Sequence, residues 1–320
     1  MEKKLERLLL NLFLYDYTKN NSYTYLSQLG VITIKSLIPM KEEVAVRIDY
    51  KRFVEEFRLW LSYRNGGNSS LLNAEGKINS VAYWEEEDNS ILSRIIPIIL
   101  ANQNYEVIQE EIIKNILFTT GNLTTLFQWL AISSLLHETA FNKSNNNLLD
   151  TLKEVVIGFS QADYMKKYEK YYRANIKDYK GNFSVEFERE KIHLLNILNG
   201  IKNNRYSNLI DLLNVLDKKE PQTMIGEIFC GFIYDLDIEY NLPKFYINLG
   251  DYIINLRKSR IDPEQLKIEK YILPDIFDQK EGEIFFHSLL KEAKVIKKEV
   301  KNNVLTSLIQ TRTGMYLFKK

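Results

Sequence analysis

Leu5, Leu8, Leu9, Leu12 and Phe13 recur every three or four residues, the spacing that lines one face of an α-helix. That period returns through the first three quarters of the chain and restricts the fold more than any other feature. An apolar run from Leu26 to Ile38 stops at Pro39, which cannot continue a helix. Asp49 stands at an N-cap position ahead of Phe53, Val54, Phe57, Trp60 and Leu61, and Gly66-Gly67-Asn68 breaks the pattern. Further helices are predicted over residues 90–101, 105–118, 122–141, 148–159, 185–201, 208–215, 224–234 and 244–260, with 142–147 as a polar, asparagine-rich loop. No repeat of about 20–50 residues is present, so a solenoid is not expected.

Beyond Leu236 the character changes. Short mixed runs follow, Ile284-Phe285-Phe286, Val304-Leu305-Thr306-Ser307-Leu308-Ile309 and Met315-Tyr316-Leu317-Phe318, with a turn expected near Arg312-Thr313-Gly314. The expected class is mainly α. A helical domain spans 1–236, and a C-terminal helix with a small hairpin-bearing appendage of short strands spans 237–320.

A chain of 320 residues can bury a sizeable core. Its 43 Lys+Arg and 42 Asp+Glu nearly cancel, which excludes a global basic field for nucleic acid. Cys230 is the only cysteine, so an internal disulfide and a cysteine zinc site are both excluded. The N-terminal stretch has the charge and apolar order of a signal peptide. It lacks a small-residue cleavage site, and Glu2, Glu6 and Asn11 interrupt it. No apolar run approaches the roughly 18 residues of a membrane span. A reducing, cytoplasmic setting without membrane attachment is expected, and the Lys/Asn/Ile-rich makeup suits a bacterial protein.

His137, His193 and His287 are far apart and in no metal-binding spacing. No nucleophile elbow, phosphate-binding loop or dinucleotide fingerprint occurs, and Cys230 lies in an apolar run as an expected inert thiol. Residues 161–180 repeat Tyr164, Tyr168, Tyr171 and Tyr172 among lysines. A basic aromatic surface for nucleic acid is one reading, and an amphipathic helix with packed tyrosines is the favoured one. The acids of Trp84-Glu85-Glu86-Glu87-Asp88 cannot all face one ion. They are expected to complement the dipole of the helix that starts near Ser90. Arg94 sits among Ile91, Leu92, Ile95, Ile96 and Ile98, and a buried guanidinium needs carboxylates, carbonyls or a bound anion. Pro97 is expected within the early turns of that helix, so Arg94 is either a strut or part of an anion site at the helix entry.

The stretch Asp88-Asn89-Ser90-Ile91-Leu92-Ser93-Arg94-Ile95-Ile96-Pro97 resembles a loop of the ADP-ribosylglycohydrolase family, Gly-Asn-Gly, two residues, Met-Arg, two residues, Pro. Asn89, Arg94 and Pro97 keep their places, and both glycines are replaced. Leu8 through Asp16 is similar to the family's opening helix, of whose Gly-Asp-Ala ending only Asp16 remains. Asp49 through Tyr63 resembles the helix ending in Trp-Tyr, and Thr119-Thr120-Gly121 stands for Thr-His-Gly. The resemblance spans roughly residues 5–235. It implies a compact helical bundle and a site for an ADP-ribose-like ligand, with Asn89, Arg94, Thr119, Gly121 and Thr223 as candidate ligand-binding residues.

The departures fall on the metal motifs. Where the family has Thr-Asp-Asp-Thr, this chain has Thr24-Tyr25-Leu26-Ser27, and where it has Asp-Thr-Asp-Thr, this chain has Glu220-Pro221-Gln222-Thr223. Two divalent ions need several anionic oxygens, and about one of four motif carboxylates survives. Asp16 and Glu220 are the residual metal candidates. No catalytic residue and no cofactor is expected. Three functions are carried forward. The first is a catalytically inactive protein of this form that binds a ligand or a protein partner, the partner through the C-terminal appendage. The second is a magnesium-dependent hydrolase of ADP-ribosylated substrates or related nucleotides, with ligands relocated to Asp16, Glu87, Asp88 or Glu220. The third is a helical scaffold unrelated to nucleotides, for which residues 24–27 and 220–223 would lie far apart. With side chains in place of both loop glycines, Arg94 is expected mainly as a strut.

Overall fold

The leucine stripe forms α1 (Glu2–Asn20), and Leu5, Leu8, Leu9, Leu12 and Phe13 are all buried. The computed structural model that contains it describes residues 2–141, 148–201, 204–234 and 238–320. α1 packs against α13 (Met224–Ile233) and α14 (Lys244–Arg257), and α2 (Tyr25–Ser36) packs against α3 (Tyr50–Leu61) and α6 (Ile91–Ala101). All eleven residues of α6 are buried, and α8 (Leu123–Phe141) is buried along most of its length. Helices apolar on every side belong at the centre of a bundle. α7 (Tyr105–Thr119), α9 (Leu148–Gly158), α11 (Phe183–Leu198) and α12 (Ser207–Leu216) pack around them. Among the described residues no helix is long and apolar enough to cross a membrane.

The asparagine-rich composition has a local use. Asn68, Asn79, Asn104 and Asn182 are the N-caps of α4 (Ser69–Asn73), α5 (Ser80–Glu85), α7 and α11, each accepting a backbone N–H of the first turn. Asp49 caps α3 as expected, accepting from the N–H groups of Lys51 and Arg52. α4 and α5 are five and six residues long, too short for helical periodicity to reveal them.

The apolar run expected to end at Pro39 divides. α2 stops at Ser36, and β1 (Leu37–Pro39) pairs antiparallel with β2 (Val46–Ile48). The Asn102 side chain accepts from the Val46 N–H at 2.8 Å and donates to the Val46 carbonyl at 2.9 Å, completing the bonding of that short strand. Pro97 lies deep inside α6 rather than in its early turns. A proline leaves the carbonyl four residues earlier without its helical donor. That carbonyl, Ser93, faces Gly30 of α2, where a Cβ would stand 3.3 Å from the oxygen. The missing side chain lets the two central helices approach.

The tyrosine-rich segment is helical only over α10 (Gln161–Tyr168), followed by 3₁₀ turns at Glu169–Tyr171 and Ile176–Asp178. Tyr164 and Tyr168 are buried, so the packing reading holds for those two. Tyr171 and Tyr172 are only half-buried.

The C-terminal appendage is a four-stranded antiparallel meander of β3 (Ile284–His287), β4 (Lys291–Lys301), β5 (Val304–Thr311) and β6 (Gly314–Lys319), in that order. The turn between β5 and β6 is at Arg312-Thr313, within the expected stretch. Asn302 and Asn303 join β4 to β5 with φ of 53° and 62°, the left-handed pair that a two-residue hairpin of matching twist requires. Ile276, Leu290, Ala293, Val295, Ile309 and Phe318 form a second small core. Burying Ile309 and Phe318 contributes about 1.5–3 kcal/mol each. This core closes on Leu59 and Tyr63, and the Lys319 N–H donates to the Ser62 carbonyl at 2.7 Å. α14 belongs instead to the helical core, through Leu249, Ile253, Ile254 and Leu256. The expected loop at 142–147 and the expected boundary at 236/237 lie outside the described residues.

Candidate functional site

Three aspartates each hold the start of a helix. Asp16, near the end of α1, is fully buried and accepts five hydrogen bonds from Asn20, Thr24 and Ser27. The shortest, both 2.6 Å, come from the hydroxyls of Thr24 and Ser27, and the backbone N–H groups of the same residues add two more. Thr24 is the N-cap of α2, so the carboxylate neutralises the positive end of that helix. Asp211 of α12 repeats the arrangement for α13. It accepts from the N–H of Gln222, and from the N–H and the hydroxyl of the N-cap Thr223 at 2.8 and 2.7 Å. The Gly226 backbone passes so close that a Cβ there would lie 2.1 Å from Asp211 Oδ2.

Asp88 holds the start of α6. Its Oδ1 accepts from the Ser90 N–H at 2.8 Å, the Ser90 hydroxyl at 2.6 Å and the Asn68 amide at 2.8 Å. Its Oδ2 receives Arg94 Nη2 at 2.6 Å, and both side chains are wholly buried. Burial alone would push the Asp88 carboxyl up. The Arg94 guanidinium, the Ser90 hydroxyl and the Asn68 amide outweigh it and hold the group below the usual carboxylate range. Arg94 also donates to Thr119 Oγ1 at 2.8 Å and to the Asn115 carbonyl at 3.0 Å, tying α6 to α7. It is therefore a strut, with Asp88 as its charged partner. Of the acidic cluster before Ser90, only Asp88 serves the helix entry. Glu85 ends α5 and faces Lys180, and Glu87 is exposed.

Thr119 thus meets Arg94 directly. Gly121 lies in the loop that follows α7, its N–H donating to the Tyr83 carbonyl at 2.8 Å, with the Trp84 ring 2.6 Å from where a Cβ would be. Asn89 is exposed beside Asp88, and the exposed Glu220 lies just ahead of Thr223, the N-cap of α13. The exposed Lys19–Glu227 pair at 3.0 Å joins the last turn of α1 to the first turn of α13, so the starts of α2 and α13 both lie toward the C-terminal end of α1. Tyr25 is half-buried. Burial pushes its phenol up, and the carboxylates of Asp88 and Asp16 add to this, so the ring stands within electrostatic reach of both. Leu26 is buried.

A carboxylate offers about four lone-pair directions. Asp16 has five donors on them and Asp88 four, so neither presents a free oxygen face to a hard cation. Asp16 and Asp88, two of the carboxylates that the hydrolase reading would assign to magnesium, do not fit that ion as they stand. Among the described residues no three His, Cys, Asp or Glu side chains gather as metal ligands. Cys230 is half-buried, and burial, then Glu220, pushes its thiol up.

Sequence reasoning did not single out Asp211. Its signal is a lone carboxylate in the apolar run Leu209-Ile210-Asp211-Leu212-Leu213 ahead of a threonine cap, as Asp16 precedes Thr24. It also missed a half-open cavity of about 690 Å³ on the flank formed by α3, α7 and the 3₁₀ turn after α10. Arg58, Lys114, Lys170 and Arg173 line it, with Glu75 its one lining carboxylate. Compared with models of known protein families and with curated proteins, the chain matches none.

Proposed function

We propose that the chain is a catalytically inactive protein built on an ADP-ribosylglycohydrolase-like helical arrangement, acting by binding a ligand or a protein partner. The observation that carries this reading is the saturation of Asp16 and Asp88 by donors of the chain itself. Carboxylates that would hold ions and activate water in a hydrolase serve here as helix caps and as the partner of Arg94. The position of the starts of α2 and α13 toward the C-terminal end of α1 supports the family likeness over an unrelated scaffold. A protein partner is favoured on the C-terminal sheet, where Ile284, Phe286, Met315 and Leu317 are exposed on the two edge strands. The single half-buried Cys230 suits a reducing, cytoplasmic setting.

The test is release of ADP-ribose from an ADP-ribosylated protein in the presence of magnesium. The expected result is a rate no higher than that of the Asp16→Asn variant. Magnesium-dependent release that Asp16→Asn abolishes would establish the hydrolase instead.

A further inference from the structure

The flank cavity is remote in role from the helix-capping aspartates, and its lining has a chemistry of its own. Arg173 is half-buried, and its Nη1 donates to the carbonyls of Ala74 at 2.8 Å and Phe118 at 3.0 Å. Its guanidinium carbon lies 4.9 Å from the centre of the Phe118 ring. These contacts orient the group without neutralising it, and no carboxylate pairs with it among the described residues. Burial, with the like charge of Arg58, pulls its pKa down, the behaviour of a cation short of counter-charge. Lys170 is exposed with its ammonium 5.2 Å from the centre of the Tyr171 ring, and it too has no carboxylate partner among the described residues. Arg58 and Lys114 add two more cations, each with acidic neighbours, Glu55 for the first and Glu110 and Glu111 for the second.

Phe57, Phe118, Tyr171 and Tyr172 add aromatic rings to the lining. A volume of about 690 Å³ exceeds what a bare phosphate or sulfate needs and suits a small organic ligand. Cations supply the charge recognition, with guanidinium forks matching phosphate oxygens, and the rings supply flat apolar contact.

We propose that this cavity is a binding site for a ring-bearing phosphate, a molecule with a planar ring and a terminal phosphate of about nucleoside-monophosphate size. The phosphate lies against Arg173, Lys170 and Arg58, and the ring lies against the aromatic lining. The site is independent of the aspartate caps, so it stands or falls apart from the non-catalytic reading.

The experiment is calorimetric titration of the full chain with adenosine monophosphate, adenosine and inorganic phosphate in turn. Adenosine monophosphate is expected to saturate with a Kd below about 1 mM, at least about tenfold tighter than either fragment. Arg58→Gln and Lys170→Gln alter exposed side chains and are expected to weaken it about threefold to tenfold with unchanged melting temperatures. Arg173→Met is expected to abolish measurable binding, and the two exposed-site variants keep the test decisive if it fails to fold. Absence of saturation by adenosine monophosphate, or saturation indifferent to Arg58→Gln and Lys170→Gln, overturns the proposal.

Discussion

Asp88 and Arg94 close a fully buried ion pair at 2.6 Å across the first turn of α6, and each is also bound to a different neighbouring element. Asp88 reaches Asn68 ahead of α4, and Arg94 reaches Thr119 at the end of α7. The pair therefore sets the register of three elements at once. Arg94→Met leaves the Asp88 charge buried without its cation and is expected to cost about 3–5 kcal/mol. Asp88→Asn combined with Arg94→Met is expected to lose clearly less than the two single losses added together. Chemical denaturation of the three variants measures the coupling, and additive losses would count against a shared strut.

Asp16→Ala removes four acceptor bonds from the start of α2 and one from Asn20, and is expected to cost at least about 2 kcal/mol. The loss should be the same with and without magnesium, because the donors belong to the chain. A loss seen only in the presence of magnesium would mean that Asp16 serves an ion.

Gly226→Ala drives a Cβ into Asp211 Oδ2 and is expected to cost about 2 kcal/mol or more through the displaced cap of α13. In an Asp211→Ala background the same change should cost much less, since the obstructing carboxylate is gone. Equal costs in the two backgrounds would show that the crowding comes from elsewhere.

The helical body was legible from the 3.6-residue period, and the N-cap role of Asp49 from its place before the aromatic stripe. The need of Arg94 for a buried partner was legible from its apolar surroundings, which left strut and anion site open. The identity of that partner was not. Counting along the resembling loop marks Asp88 as a lost glycine, whereas a contact six residues away across a helix start is not a sequence pattern. β4 escaped because Lys291, Glu292, Lys294, Lys297, Lys298, Glu299 and Lys301 dominate it, and a bulge at Val295/Lys297 breaks the alternation of its inward residues. Asn302-Asn303 was the remaining signal for that hairpin. The flank cavity draws its cations from three separate segments, so only the folded chain brings them together.

His287, at the end of β3, accepts the Leu289 N–H on Nδ1 at 3.2 Å, which requires the neutral ring. Burial, with the nearby Lys35 cation, lowers its pKa from 6.5 to about 4. Between those values the unfolded chain binds a proton that the folded chain does not, so stability falls as pH drops from 6.5 to about 4 and this contribution then levels off. His287→Gln should flatten that part of the stability profile. An unchanged slope would show that other groups carry the acid sensitivity.

Thermal melting of the full chain against magnesium, with and without ADP-ribose, tests the central claim most directly, since a ligand held at about 100 times its Kd stabilises the folded state by about 2.7 kcal/mol. With its carboxylates committed to internal donors, the protein should melt within about 1 °C of the same temperature at every magnesium concentration up to about 10 mM. A saturable magnesium-dependent rise that Asp16→Asn removes would contradict the account.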